Sequence, residues 1–259
     1  MRARKRFGQH FLTDESMLQG IADAMHFTEH DRVMEIGPGQ GALTQLLADT
    51  PQIYLAVEID RDLVPLLRAT YPQLQIVNDD ILRVDLVELL APGKAWRIFG
   101  NLPYNISSPL IAKLTEFIVA HRERVADLHF MLQKEMADRL AAAPGTKAWG
   151  RLSVMVQLYF DVEFICDVPP ESFTPPPRVW SSVIRMMPRQ QRPEVDVPTL
   201  DRLLRVAFAG RRKRLSNSLK ILNIDWSGTE IDPGVRADDV SAAQYVALAG
   251  LVRAEPEQG

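Results

Sequence analysis

Apolar positions at helical spacing open the chain. Met17, Leu18, Ile21, Ala22 and Met25 recur every three or four residues after Thr13-Asp14-Glu15-Ser16, a polar cluster of the kind that starts a helix. From Arg32 the pattern changes to short apolar runs separated by helical stretches. Residues 33–36, 53–59, 74–77, 97–99, 128–132, 162–168 and 179–186 read as strands. Residues 42–47, and a stretch through Leu63, Leu66 and Leu67, read as helices between the first three. Strands alternating with helices predict a mostly parallel, doubly wound α/β sheet covered on both faces. After Pro188-Arg189-Gln190-Gln191-Arg192-Pro193 the strand signal stops. Helical patterns at 200–208, 215–222 and 242–252 predict a small all-helical domain. The expected division is therefore 1–188 and 189–259, with a polar tail after Arg253.

The strand ends carry the chemistry. Glu35-Ile36-Gly37-Pro38-Gly39-Gln40-Gly41 falls where the first strand turns into its helix. Glycine there lets backbone approach a ligand, and the helix start offers free N–H groups. A dinucleotide fingerprint needs its third glycine three positions after the second, where this chain has Ala42. Pro38 also removes a donor that a diphosphate could use. Glu58, at the end of the second strand, is placed to accept from ribose hydroxyls. Asp80, after the third strand, can accept from an exocyclic amine while Ile81 covers an adenine face. Glycine turn, ribose acid and adenine acid describe an adenosine site without a diphosphate cradle, which favours S-adenosylmethionine over a dinucleotide.

After the fourth strand comes Phe99-Gly100-Asn101-Leu102-Pro103-Tyr104-Asn105, at the carboxyl edge of the sheet where ligands of doubly wound folds bind. An adenine exocyclic amine is a poor nucleophile, because its lone pair is delocalised into the ring. The Asn101 side-chain oxygen and the carbonyl of Leu102 or Pro103 could accept its two hydrogens, and Tyr104 could stack on the base.

Composition narrows the class. Of 259 residues, 24% are charged and 46% hydrophobic, which excludes a disordered chain or a coiled-coil rod. No apolar run reaches the roughly 18 residues of a membrane span. A single cysteine, Cys166, excludes an internal disulfide and fits a reducing compartment. Five scattered histidines offer no pair at metal-ligand spacing, so no metal is expected. The net charge of −3 predicts no partner, but its distribution is uneven. Arg2, Arg4, Lys5 and Arg6 open the chain, and Arg211-Arg212-Lys213-Arg214 stand in the helical region, which has no catalytic motif. Either run could be solvated surface charge, or the second could dock RNA phosphates.

Taken together, Lys5-Arg-Phe-Gly-Gln-His-Phe-Leu12, Glu35 to Gly41, Asn101-Leu-Pro-Tyr-Asn-Ile-Ser107, Phe173-Thr-Pro-Pro-Pro-Arg-Val179 and Arg211-Arg-Lys213 near Asn217-Ser-Leu219 resemble the small-subunit (16S) ribosomal RNA adenine dimethyltransferases. The resemblance implies a Rossmann-like class I methyltransferase domain with a small helical companion. It also implies transfer of two methyl groups to N6 of each of two adjacent adenosines near the 3′ end of that RNA, with a role in small-subunit biogenesis. His10 and Leu12 would line the cofactor entrance with Gly37, Gly39, Glu58, Asp80, Ile81 and Asn101. Phe173 would close over the target base opposite Tyr104. The implied partners are small-subunit RNA and the small subunit or its precursor, met by a cytoplasmic monomer with no membrane. The family usually has Lys-Val-Asp-Ser where this chain has Arg178-Val179-Trp180-Ser181, so Trp180 receives no role. Rivals are a large-subunit RNA dimethylase of the macrolide-resistance type, a non-catalytic assembly factor that binds pre-ribosomal RNA, and a nicotinamide oxidoreductase.

Overall fold

The structure, a computed structural model, describes residues 10–252. The basic run Arg2 to Arg6, the Lys5–Gln9 part of the first motif and the tail after Val252 lie outside the described residues.

The strands are β1 (Phe11–Leu12), β2 (Arg32–Ile36), β3 (Ile53–Val57), β4 (Gln75–Val77), β5 (Trp96–Asn101), β6 (Val125–Gln133), β7 (Phe160–Val168), β8 (Phe173–Thr174) and β9 (Ser181–Pro188). Seven form one sheet in the order β4-β3-β2-β5-β6-β9-β7, while β1 and β8 pair separately. The run from β4 to β6 is parallel, and β9 joins β6 antiparallel. This is the doubly wound α/β sheet that the alternating pattern predicts, with an antiparallel addition at one side. Strands Val33–Ile36 and Tyr54–Val57 are buried throughout, as central strands covered on both faces must be.

The helices are α1 (Glu15–Met25), α2 (Thr44–Leu47), α3 (Val64–Thr70), α4 (Leu86–Leu89), α5 (Tyr104–His121), α6 (Lys134–Leu140), α7 (Arg151–Tyr159), α8 (Val197–Ala209), α9 (Leu215–Ser218) and α10 (Ala242–Ala249). Asp14 caps α1 by accepting from the N–H groups of Ser16 and Met17, as the polar cluster foretold. The longest helix, α5, has no counterpart among the elements that the apolar pattern predicts, because Pro103 and Pro109 break its rhythm. Pro103 is its cap, and Pro109 falls early in the helix. The stretch 215–222, expected as one helix, breaks after Ser218. It continues as a 3₁₀ turn over Lys220–Leu222 and stops at Asn223 in the left-handed conformation.

At the amino end of β5, Arg97 anchors the sheet. Its guanidinium donates to both oxygens of Asp127 on β6, at 2.9 and 2.7 Å, and to the carbonyls of Met25 and His26 after α1. Arg185 of β9 shares Asp127 at 2.8 Å. Burial works against the Asp127 charge, but hydrogen bonds and charge from Arg97 outweigh it and hold the carboxyl below its usual range. This buried network ties β5, β6, β9 and α1 together at the end of the sheet away from the glycine turn.

The chain divides into two compact units. The first is built from the chain up to Ala137 together with Asp161–Pro188, the second from Asp138–Phe160 together with the chain from Arg189 onward. The break after Pro188 falls where the composition changes, but the division 1–188 and 189–259 misplaces residues 138–160. Those residues carry the end of α6 and all of α7, which packs with α8 and α10. The Trp149 indole donates to the Val240 carbonyl at 3.0 Å, and Arg151 pairs with Asp201. An excursion from the first unit completes the core of the second, which no local composition signal announces.

Candidate active site

The carboxyl ends of β2, β3, β4 and β5 open on a cavity of about 240 Å³. All twelve residues expected to hold cofactor or target base line it: His10, Leu12, Gly37, Gly39, Glu58, Asp80, Ile81, Asn101, Leu102, Pro103, Tyr104 and Phe173. The basic residues 211–214 belong to the second unit and are described separately below.

The β2 turn needs its glycines. Gly37, Gly39 and Gly41 all adopt positive φ, at 68°, 59° and 85°. A Cβ on Gly39 would stand 3.2 Å from the Phe11 ring, so β1 covers this loop closely. Glu58 is 2% exposed and fastens the turn from beneath. Its Oε2 accepts from the Gly39 N–H at 3.0 Å and its Oε1 from the Asp60 N–H at 2.7 Å. Burial pushes the Glu58 carboxyl up, and these donors oppose that. A carboxylate oxygen with one donor filled retains capacity to accept from a ribose hydroxyl. Asp80 likewise keeps acceptor capacity: its Oδ1 takes the Leu82 N–H at 2.9 Å, and Arg83 stands 3.9 Å from Oδ2.

Three residues that the sequence pattern does not single out support this half of the site. Glu35 is 3% exposed under the glycine turn and accepts from Thr44 at 2.7 Å and from Tyr54. Burial pushes its carboxyl up to about 7, the Glu58 charge adds to this, and the two hydroxyl donors oppose it. A charged residue in an otherwise apolar strand was the available signal. Lys113 of α5 reaches the loop after β4, donating to the carbonyls of Ile81, Leu82 and Val84 at 2.9, 3.0 and 2.5 Å. It lies about thirty positions from its partners, and nothing local marks it. Gly100 lets β5 run against β2, since a Cβ there would collide with the Ile36 carbonyl oxygen.

At the β5 end, the Asn101 amide nitrogen donates to the His10 carbonyl at 3.2 Å. That bond orients the side chain and leaves its oxygen as the group available to a ligand. The choice between the Leu102 and Pro103 carbonyls is made by α5. Pro103 accepts from the N–H groups of Ile106 and Ser107 and from the Ser107 hydroxyl at 3.0 Å, so its oxygen is taken up by the helix start. Leu102 is the better candidate. Tyr104 stacks against the His10 ring, with centroids 5.8 Å apart and planes 27° apart. Phe173, expected to close over a base, is 3% exposed and opposite Leu12 in the β1–β8 pair. It forms part of the cavity wall.

The lining suits an adenosine-bearing ligand that lacks a diphosphate: a glycine-rich turn in which Pro38 has no N–H, two acceptor carboxylates and the apolar side chain of Ile81. Among the described residues no cluster of three or more His, Cys, Asp or Glu could hold a metal, and no helix is long and apolar enough to cross a membrane.

The profile of the ribosomal RNA adenine dimethylases matches residues 1–253. The chain belongs to this family. Among its relatives, the ribosomal RNA small subunit methyltransferase A of Leptothrix cholodnii is 46% identical over 98% of this chain and 93% of its own length. The protein of the same name from Cupriavidus pinatubonensis is 47% identical over 95% and 92%. A dimethyladenosine transferase from Plasmodium falciparum superposes with a TM-score of 0.76 at 26% identity, over 93% of this chain and 99% of that one. The 23S rRNA methyltransferase ErmE shares the fold, with a TM-score of 0.70 at 24% identity over the same shares. The sheet is thus that of a class I methyltransferase, and the dimethylase is an enzyme that methylates ribosomal RNA adenine.

In the second unit the dimethylase's basic run divides. Arg211 donates to Asp238 at 2.8 Å and to the Lys147 carbonyl at 2.7 Å, so it is a structural tie and not the phosphate contact that the sequence suggested. Arg212, Lys213 and Arg214 are exposed.

Two outcomes test this site. Glu35 has a folded pKa near 7 against 4.5 when free, so its contribution to stability is full below pH 4.5 and lost as pH rises through 7. Glu35→Gln should therefore flatten the fall in thermal midpoint between about pH 4.5 and pH 7, recovering roughly 1–3 kcal/mol by pH 7. Lys113→Met removes the ammonium and keeps the stem. Calorimetry should show S-adenosylmethionine binding weakened by roughly tenfold, the worth of about one net hydrogen bond, and parental affinity would show that the loop holds itself.

Proposed function

We propose that this dimethylase transfers methyl groups from S-adenosylmethionine to N6 of two adjacent adenosines near the 3′ end of small-subunit (16S) ribosomal RNA, giving N6,N6-dimethyladenosine. The observation that carries the reading is the Asn101 oxygen, oriented by the His10 carbonyl, beside the Leu102 carbonyl and the Tyr104 ring at one end of an adenosine-suited cavity. The names of relatives 44–47% identical to this chain support the small subunit as substrate. The same support extends to the small subunit or its precursor as the particle met, and to a role in its biogenesis in the cytoplasm by a single chain.

Bound S-adenosylmethionine supplies a methyl group on a cationic sulfonium. Gly37, Gly39, Glu58, Asp80 and Ile81 would hold it. Asn101 and Leu102 do the rest by hydrogen bonding. Their oxygens accept the two N6 hydrogens of the target adenine, which favours a pyramidal nitrogen with a localised lone pair. One face of the Tyr104 ring is taken by His10, so the base stacks on the other, with Phe173 as part of the surrounding wall. A strong general base is not required, because the amine nitrogen turns acidic as it gains the methyl group.

Asn101→Ala should lower turnover on unmethylated small-subunit particles by ~10²-fold or more, while substrate KM changes little. Cofactor affinity is measured alongside by calorimetry, and the product is mapped. Near-parental turnover, or methyl groups anywhere but adenosine N6, would overturn the reading. Docking is tested separately. Replacing Arg212, Lys213 and Arg214 together with alanine should reduce the slope of log affinity against log salt by roughly 2–3. Arg211→Ala should instead destabilise the second unit and leave that slope alone.

A further inference from the structure

We propose that Arg178, Val179 and Trp180 form a platform on which the RNA nucleotide adjoining the target adenosine stacks. This rests on the reading above that the cavity takes an adenine of single-stranded RNA.

Trp180 and Val179 are 48% and 43% exposed, an unusual place for an indole that contributes nothing to a core. Their surroundings are fixed at both ends by the active site. On one side Phe173 forms the cavity wall, and the Pro175 carbonyl lies 2.8 Å from His10 Nδ1. On the other, Ser181 at the start of β9 stands beside Tyr104, the residue proposed to stack on the target base. Segment 175–180 is therefore the stretch of rim between two parts of the base pocket. Its backbone is anchored where Trp180 leads into β9, because the Trp180 carbonyl accepts the Lys134 N–H at 2.9 Å. The indole is thus presented, half-exposed, on a held backbone.

The charges nearby favour nucleic acid. Lys134 is neutralised by Asp167 at 2.7 Å, and that carboxylate also accepts from Ser182 at 2.6 Å. Arg178 is exposed and makes no ion pair among the described residues. An exposed aromatic ring two positions along the chain from an exposed arginine supplies the two groups, a stacking face and a cation, that hold single-stranded bases and their phosphates without reading sequence. A target nucleotide seated in the cavity sends its chain neighbours out over the rim, so the nucleotide next to it is the occupant that reaches Trp180. Two adjacent adenosines both serve as substrates, and a stacking site at the rim would hold one while the other is methylated.

The test uses the full chain and unmethylated small-subunit particles, with Trp180→Ala and Trp180→Phe. Trp180→Ala should raise KM for the particle about 5- to 150-fold, the alanine penalty of one base–aromatic stack. Trp180→Phe should stay near the parent, and S-adenosylmethionine affinity should be unchanged in both. A short RNA with 2-aminopurine beside the target adenosine reads the stack directly. Its fluorescence should be quenched by the parent and by Trp180→Phe, but not by Trp180→Ala. An active parent with an equally efficient Trp180→Ala overturns the platform and leaves the proposed function standing. An inactive parent removes that function instead, and the quenching comparison then decides the platform by itself. Equal quenching by Trp180→Ala overturns it. So does a parental KM combined with altered sedimentation of the free chain, which would make the patch a protein contact.

Discussion

Glu58 is the constraint around which the cofactor half of the site is arranged. A carboxylate 2% exposed at the end of a central strand needs donors, and the nearest are backbone N–H groups. Gly39 can supply one only because its left-handed backbone turns the amide toward β3, and Asp60 supplies the other. The glycine turn, the end of β3 and, through Asn78 donating to the Glu58 carbonyl at 2.6 Å, the end of β4 become one assembly. A ligand entering here meets a preorganised acceptor whose geometry was set by folding. Glu35 lies beneath the same turn, and burial together with the Glu58 charge pushes its carboxyl up to about 7. Below that pH one of the two buried carboxyls carries a proton, which relieves their repulsion.

The reacting end obeys a different constraint, the start of a helix. Pro103 caps α5, and its carbonyl is consumed by the first turn. That leaves the Leu102 carbonyl and the Asn101 side chain, at and just after the end of β5, among the groups that line the cavity. Gly100 permits this position by allowing β5 to lie against the β2 carbonyl edge. The same helix carries Lys113 back to the Asp80–Val84 loop, where one ammonium gathers three carbonyls. Helix α5 therefore connects the end of β5 to the loop after β4, two segments that both line the cavity.

The alternating apolar runs, the glycine turn and the acids after β3 and β4 are all legible in the amino-acid sequence alone, because each is a local pattern. Strand period, positive-φ glycine and a carboxylate at a strand end are properties of a few consecutive residues. Nine of the twelve residues at the cavity follow from the strand pattern, since in a parallel sheet every carboxyl end emerges on the same edge, while His10, Leu12 and Phe173, at the separate β1–β8 pair, were indicated by the family resemblance. Four decisions needed the tertiary structure. Residues 138–160 joined the second unit because α7 finds its apolar partners in α8 and α10, far along the chain. Arg211 left the docking surface because Asp238 and the Lys147 carbonyl meet it. Pro103 lost its acceptor role to a helix hidden by prolines. Lys113 gained a role from partners about thirty residues away. In three of these cases the deciding contact is distant in sequence, and for Pro103 it is the first turn of a helix that the apolar pattern does not show; a residue's chemical duty depends on which of its hydrogen bonds folding has already filled.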